Sequence, residues 1–394
     1  MKSREWEYIF TKNGTIKLMK YHGAETDVSL PAFINGTAVT DISVNTFGDR
    51  KLRSLYISEN IQFIEKGFFK YNYISKEITA SAKSDRYYST DGVLYNRERT
   101  VLISCPKERE QVEILPITLK IADYAFYKCR RLENVVMPRC LCEIGEYAFY
   151  ENVSLISVTL PWGLTFMGEG CFCGCEKLES IVLPANVEVI NDYTFENCES
   201  LERIKLPERI TEICYGAFEG CRSLKNITIP DAVKSIGDYA FSECKSLKSI
   251  TLPDSLYYIG AHAFNNCESL EHIKLPDSID NIYNNTFAGC SSLEYITIPD
   301  AVKSIGSYAF SECKSLENLE IPYGVTDIGF MAFYNCKNLK NITIPTSLNY
   351  INSYAFSDCE SLETVTIISD CTSRTIDVRG LDFDTMNRWI FLYF

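Results

Sequence analysis

Cysteine, the side chain with the widest chemistry, occurs 17 times in 394 residues. Cys129, Cys175, Cys198, Cys221, Cys244, Cys267, Cys290, Cys313, Cys336 and Cys359 each stand three residues after a phenylalanine. A thiol can ligate zinc, form a disulfide, attack an electrophile or donate weakly to a carbonyl. The column has one gap, at Asn152. An amide can replace a thiol as a donor to a buried carbonyl, but not as a disulfide partner or a metal ligand. The column therefore reads as buried free thiols that close turns. Cys171, Cys173 and Cys175 form CxCxC, with Cys140 and Cys142 upstream. The CxxC spacing of zinc sites is missing, so no metal and no cofactor are expected.

Catalytic groups are scarce. The three histidines are His22, His262 and His272. His262 occupies a slot that is often tyrosine, as at Tyr239 and Tyr308, which reads as packing. No GxSxG, P-loop or paired metal-binding histidine motif occurs, so an enzyme is not expected.

Two other columns carry charge. Glu208, Asp231, Asp254, Asp277 and Asp300 each follow a proline. Stacked, they could hold a cation or a basic partner. Pro-Asp also opens turns, with Asp capping the next amides, and the turn reading is preferred. Arg203, Lys205, His272, Lys274 and Tyr295 interrupt two columns that are otherwise mostly small and polar. Arg and Tyr are enriched at binding hot spots, so these five are the candidate partner-binding residues.

What positions these columns is a repeat. Phe recurs at 126, 149, 172, 195, 218, 241, 264, 287, 310, 333 and 356, every 23 residues. The unit reads AFxxCxxLxxIxLPxxVxxIGxx. In IxL, alternate side chains face in and out, which predicts a short strand. The following Pro cannot donate to a ladder and closes it. Val and Ile return inward, and Gly permits a tight or left-handed turn. A period of 20–29 residues with this pattern marks a leucine-rich-repeat solenoid. The expected form is right-handed and curved, with one parallel sheet and about fourteen coils. The coils starting at Pro230 and Pro299 are near copies over 18 residues, differing only at Asp238 and Ser307.

The organisation expected is an N-terminal capping segment over 1–46, degenerate repeats with an inserted hairpin over 47–116, regular repeats over 117–368 and a C-terminal cap over 369–394. The hairpin is expected to turn at Asn96 to Arg99.

Composition narrows the partners. Hydrophobic residues make up 46% and the net charge is −13. No basic run offsets that charge, so nucleic acid is not an expected partner. No segment has the roughly 18 apolar residues of a membrane span. The start MKSREWEYIFTKNG does not read as a signal peptide, which points to a cytosolic protein or to a leader already removed.

The repeat, together with TKNGTIKLMKYHGAETDVSLPAFINGTAVTDISVNTF and STDGVLYNRERTVLISCP, resembles the BspA-like (Treponema pallidum type) leucine-rich-repeat family across nearly the whole chain. The resemblance implies a surface-exposed or secreted, non-enzymatic adhesin-type protein that binds a host matrix or microbial surface protein. A cytosolic interaction scaffold is the alternative.

Overall fold

The computed structural model describes residues 5–352, 354–369 and 373–379, in two compact units, Met1–Leu178 and Glu179–Phe394. Most of the expected C-terminal cap lies outside the described residues.

The coil that follows Phe241 shows how the repeat folds. In Ser249–Thr251 the middle side chain is buried and the outer two are exposed, as alternation requires. This strand pairs in parallel with Asn226–Thr228 one coil earlier. Beyond Pro253 the chain turns, the Pro253 carbonyl accepting from the Leu256 amide at 3.1 Å. It then enters a two-residue strand, Tyr258–Ile259, parallel to Ser235–Ile236. Each regular coil thus supplies two strands, and the single sheet expected from the sequence is replaced by two ladders. The second strand is too short for its alternation to stand out in the sequence.

Six strands of the first kind lie in the first unit, from Asp27–Ser29 to Ser157–Val158, and nine in the second, from Ser180–Val182 to Thr364–Ile368. That makes about 15 coils rather than fourteen. Ser373–Asp377 pairs antiparallel with Thr364–Ile368 and covers the last parallel edge.

The core is a stack of the periodic phenylalanines. In the second unit the rings of Phe195 and Phe218 lie 5.4 Å apart, and those of Phe333 and Phe356 5.2 Å apart, both pairs stacked. In the first unit Phe126, Phe149 and Phe172 stack at 4.7 and 5.2 Å. All are essentially fully buried.

No disulfide joins the described cysteines. In the second unit the column thiols link coils rather than close them. From Cys221 to Cys359 each donates to the carbonyl of the phenylalanine one coil back, as Cys244 does to Phe218 and Cys267 to Phe241, both at 3.2 Å. Asn152 does not follow. It is fully buried, and neither its Oδ1 nor its Nδ2 has a hydrogen-bond partner. The expectation that it donates as a thiol does is therefore corrected. The branched amide has to point both polar atoms into a slot shaped for one sulfur. Alkylation under denaturing, non-reducing conditions should label nearly every column cysteine without reductant. Finding most of them blocked would replace the hydrogen bonds with disulfides.

Two backbone features were hidden in the sequence. Of the tight or left-handed turn expected at Gly237, the left-handed conformation is not adopted. A Cβ there would lie 2.7 Å from the carbonyl carbon of Cys214, so this glycine is needed for close approach of adjacent coils. The left-handed residues stand instead two before and two after Phe, as at Tyr239 (φ 59) and Glu243 (φ 60). That conformation aims every second amide at the next coil. Tyr239, Phe241 and Glu243 donate to Ala261, Ala263 and Asn265 at 3.0, 2.8 and 2.8 Å.

In the first unit, Tyr73–Ala80 continues the ladder from Lys51–Ile57. The inserted segment then forms two hairpins, not one. Val93–Asn96 and Val101–Ser104 pair across the expected turn, where Arg99 donates to Asn96 at 2.9 Å. Tyr87–Thr90 pairs with Val93–Asn96 across Asp91-Gly92, both left-handed, as two-residue hairpin turns require. Val101–Ser104 then pairs in parallel with Lys120–Ile121, which joins the insertion to the first regular coil.

Candidate functional site

The outward face of the first ladder in the second unit is set by strand alternation. Ile204 is buried between Arg203 and Lys205, Ile273 between His272 and Lys274, and Ile296 between Tyr295 and Thr297. Elsewhere on this face small polar side chains satisfy one another. Ser249 donates to Asn226 at 2.7 Å, Asn341 to Asn318 at 2.8 Å and Thr364 to Asn341 at 2.6 Å. Arg203, Lys205 and Lys274 stand apart: among the described residues none of them has an ion-pair or hydrogen-bond partner. His272 stacks on Tyr295 with ring centroids 4.4 Å apart, and its Nδ1 is buried without a partner.

The ladder itself is interrupted. It stops at Arg203–Lys205 and resumes at Asn226–Thr228, then breaks again between Tyr295–Thr297 and Asn318–Glu320. At the first break lies a groove of about 660 Å³, lined by Arg203, Lys205, Glu208, Lys225 and Asp231 among others. The structure thus brings together two of the five candidate binding residues and two members of the acidic column. His272, Lys274 and Tyr295 lie on the Ser249–Thr251 side of the ladder, on His272–Lys274 and the next strand, Tyr295–Thr297. Sequence reading missed Lys225, which belongs to a different column and is held by Glu202 at 3.1 Å. Only the break shows that it faces the groove.

The acidic column is exposed, and its side chains cap no amides. The Pro-Asp turns are closed by the proline carbonyl, Pro230 accepting from Val233 at 3.0 Å and Pro299 from Val302 at 3.0 Å. The capping role expected of Asp231 and its counterparts is corrected accordingly. Amide capping falls to another acidic position: Asp238 accepts from the Ala261 amide of the next coil at 2.9 Å.

Other titratable groups pack structurally. His262 stacks on Tyr239 at 4.3 Å, and burial pulls its pKa down. Among the described residues no three His, Cys, Asp or Glu side chains are arranged to hold a metal ion. Burial, with help from the carboxylates of Glu196 and Glu243, pushes Glu219 from 4.5 up to about 7. A carboxyl raised in the folded state binds a proton that the unfolded chain has already released, so stability falls as pH rises from about 4.5 to about 7. Glu219→Gln should leave Tm unchanged at pH 4 and raise it at pH 8. Thermal melts showing the same shift at both pH values would contradict this.

Coils that stack Phe upon Phe, each adding parallel strands and closing on Pro, define a leucine-rich-repeat solenoid. The chain belongs to the family described as BspA type leucine rich repeat region, six copies of which match residues 25–90, 119–234, 211–314 and 281–378. No curated protein matches it in sequence. Among solved structures it is similar to a leucine-rich repeat protein from Bacteroides ovatus ATCC 8483, at 27% identity and TM-score 0.56, covering 93% of this chain and 94% of that one. The pneumococcal vaccine antigen PcpA shares the fold at 18% identity and TM-score 0.54, covering 94% of this chain and 93% of the antigen. A solenoid of this type is typically a non-enzymatic scaffold for protein interaction. No helix among the described residues is long and apolar enough to cross a membrane.

Proposed function

We propose that this protein is a non-enzymatic binding module of the adhesin type, displayed on the cell surface or secreted, whose partner is a host matrix or microbial surface protein. One observation carries the reading. On a face where neighbouring polar side chains satisfy one another, Arg203, Lys205 and Lys274 stand exposed and unpaired. Unpaired surface cations on an acidic protein steer a partner of opposite local charge. The family resemblance supports surface display.

Surface plasmon resonance against purified extracellular-matrix proteins and intact bacterial cells tests the reading. A saturable signal that weakens with salt is expected for at least one of them. Flat responses across the panel would count against an adhesin.

A second reading, a cytosolic interaction scaffold, is favoured by the free thiols, which persist most readily in a reducing compartment. Protease treatment of intact cells separates the two. Digestion of the protein while cytosolic markers survive supports display, and protection supports the scaffold.

A further inference from the structure

We infer that the groove at the first ladder break is a peptide site, and that its occupant is an extended segment carrying an acidic and a basic side chain about three residues apart. The inference rests on the reading of this face as a binding surface and names what one part of it takes.

The groove lies between two neighbouring coils, so its long direction follows the strands rather than the stack. Along that direction its charge changes sign. Arg203 and Lys205 flank its strand end, and Lys225 adds a third cation that Glu202 already engages. Glu208 and Asp231 line its other end, just past and just after the strand-closing prolines. Neither carboxylate has a hydrogen-bond or ion-pair partner among the described residues. Lys205 ends its strand and Glu208 lies in the turn after Pro207, three residues on, so at most about 10 Å separates them along the chain. The same advance separates residues i and i+3 of an extended peptide laid along the groove.

This polarity excludes simpler occupants. A polyanion such as a nucleic acid or a sulfated glycan would place negative charge over Glu208 and Asp231. A polybasic segment would meet Arg203 and Lys205. A purely apolar strand would strip water from four unpaired charges and return nothing to them. An extended peptide of alternating charge answers both ends.

The test uses fluorescein-labelled ten-residue Gly/Ser peptides carrying Asp and Lys three residues apart, in either order, against matched peptides with two Asp or two Lys. Fluorescence anisotropy with the full chain at low salt should show one Asp/Lys order binding at least roughly tenfold tighter than either single-sign peptide. The variant with Arg203→Glu, Lys205→Glu, Glu208→Lys and Asp231→Lys should then prefer the opposite order. Because all four positions are exposed, its Tm should match wild type; a variant that fails to fold is replaced by Lys205→Glu with Asp231→Lys, for which the same inversion is expected. Equal binding of the two-Asp peptide would make this an anion site, and equal binding of the two-Lys peptide a cation site. Either result overturns the inference, as does an order preference unchanged by the swap, or no peptide binding at millimolar concentration. If the peptides fail while a whole protein partner still depends on Arg203, the groove assignment falls and the reading of the face stands. If both fail, that reading falls too.

Discussion

Phe264→Ala is expected to destabilise the protein by about 3–5 kcal/mol, the range for deleting a buried aromatic ring. The ring is fully buried and sits between Phe241 and Phe287, 5.6 Å from each, with interplanar angles of 4° on both sides. Truncation removes stacking contacts to both neighbours at once. The walls of the cavity cannot close, because the backbone is fixed coil to coil. The Phe264 amide donates to Thr286 at 2.9 Å and the Phe241 amide to Ala263 at 2.8 Å. Cys267 and Cys290 tie the same coils through sulfur, the latter to the Phe264 carbonyl at 3.2 Å. A linear array also gives the loss a visible form, since coils depend on nearest neighbours. Urea unfolding followed by circular dichroism should show a lower midpoint and an additional transition as the array divides near this coil. Phe264→Leu, which keeps most of the volume, should cost clearly less. A loss below about 1 kcal/mol for the alanine variant would mean that the ring is not a packed core residue.

Asn152→Cys is expected to stabilise the protein by about 1–3 kcal/mol, the penalty of leaving a buried polar group unpaired. Asn152 sits where every other regular coil has the column thiol, and both of its amide atoms are buried without a partner. One coil later Cys175 donates to the Phe149 carbonyl at 3.3 Å. A thiol at 152 finds the matching acceptor on Phe126 and removes the orphaned carbonyl and amino groups together. Asn152→Ala separates the two contributions, because it removes the orphans without supplying a donor, and its stability should fall between asparagine and cysteine. Differential scanning calorimetry should rank the three as Cys, Ala, Asn from most to least stable. If asparagine were the most stable, its amide would have a partner that the protein contacts do not reveal, such as an internal water.

What the sequence made legible was whatever repeats in register with a side-chain type. Phe126 to Phe356 and the leucines six residues on mark the coil because each fills the same slot every time, and the strand-closing prolines do so in ten of eleven coils. The second ladder was not legible, since two residues such as Ser235–Ile236 cannot display an alternation. The left-handed positions were hidden for another reason. Tyr239, His262, Asn285 and Met331 share no side-chain chemistry, and their backbone is dictated by amides bonding to the next coil. Gly237 was misread because a glycine conserves space as readily as it permits a turn, and only the neighbouring coil tells which. The site was partly legible. Alternation placed Arg203, Lys205 and Lys274 outward, but the gap that joins Arg203 and Lys205 to Glu208, Lys225 and Asp231 is a failure of pairing between strands, which no single strand encodes.

The central claim is that the outward strand face of the second unit binds a protein partner through its unpaired cations. Arg203→Glu combined with Lys274→Glu tests it most directly, by surface plasmon resonance against the partner that the wild-type protein binds, with thermal melts alongside. Both side chains are exposed on strand positions, so Tm should stay within about 1 °C of wild type, as for ordinary surface substitutions. The association rate should fall roughly tenfold or more at low salt, and the difference should shrink as salt screens the charges. A variant that binds as fast and as tightly as wild type at every salt concentration would contradict the claim.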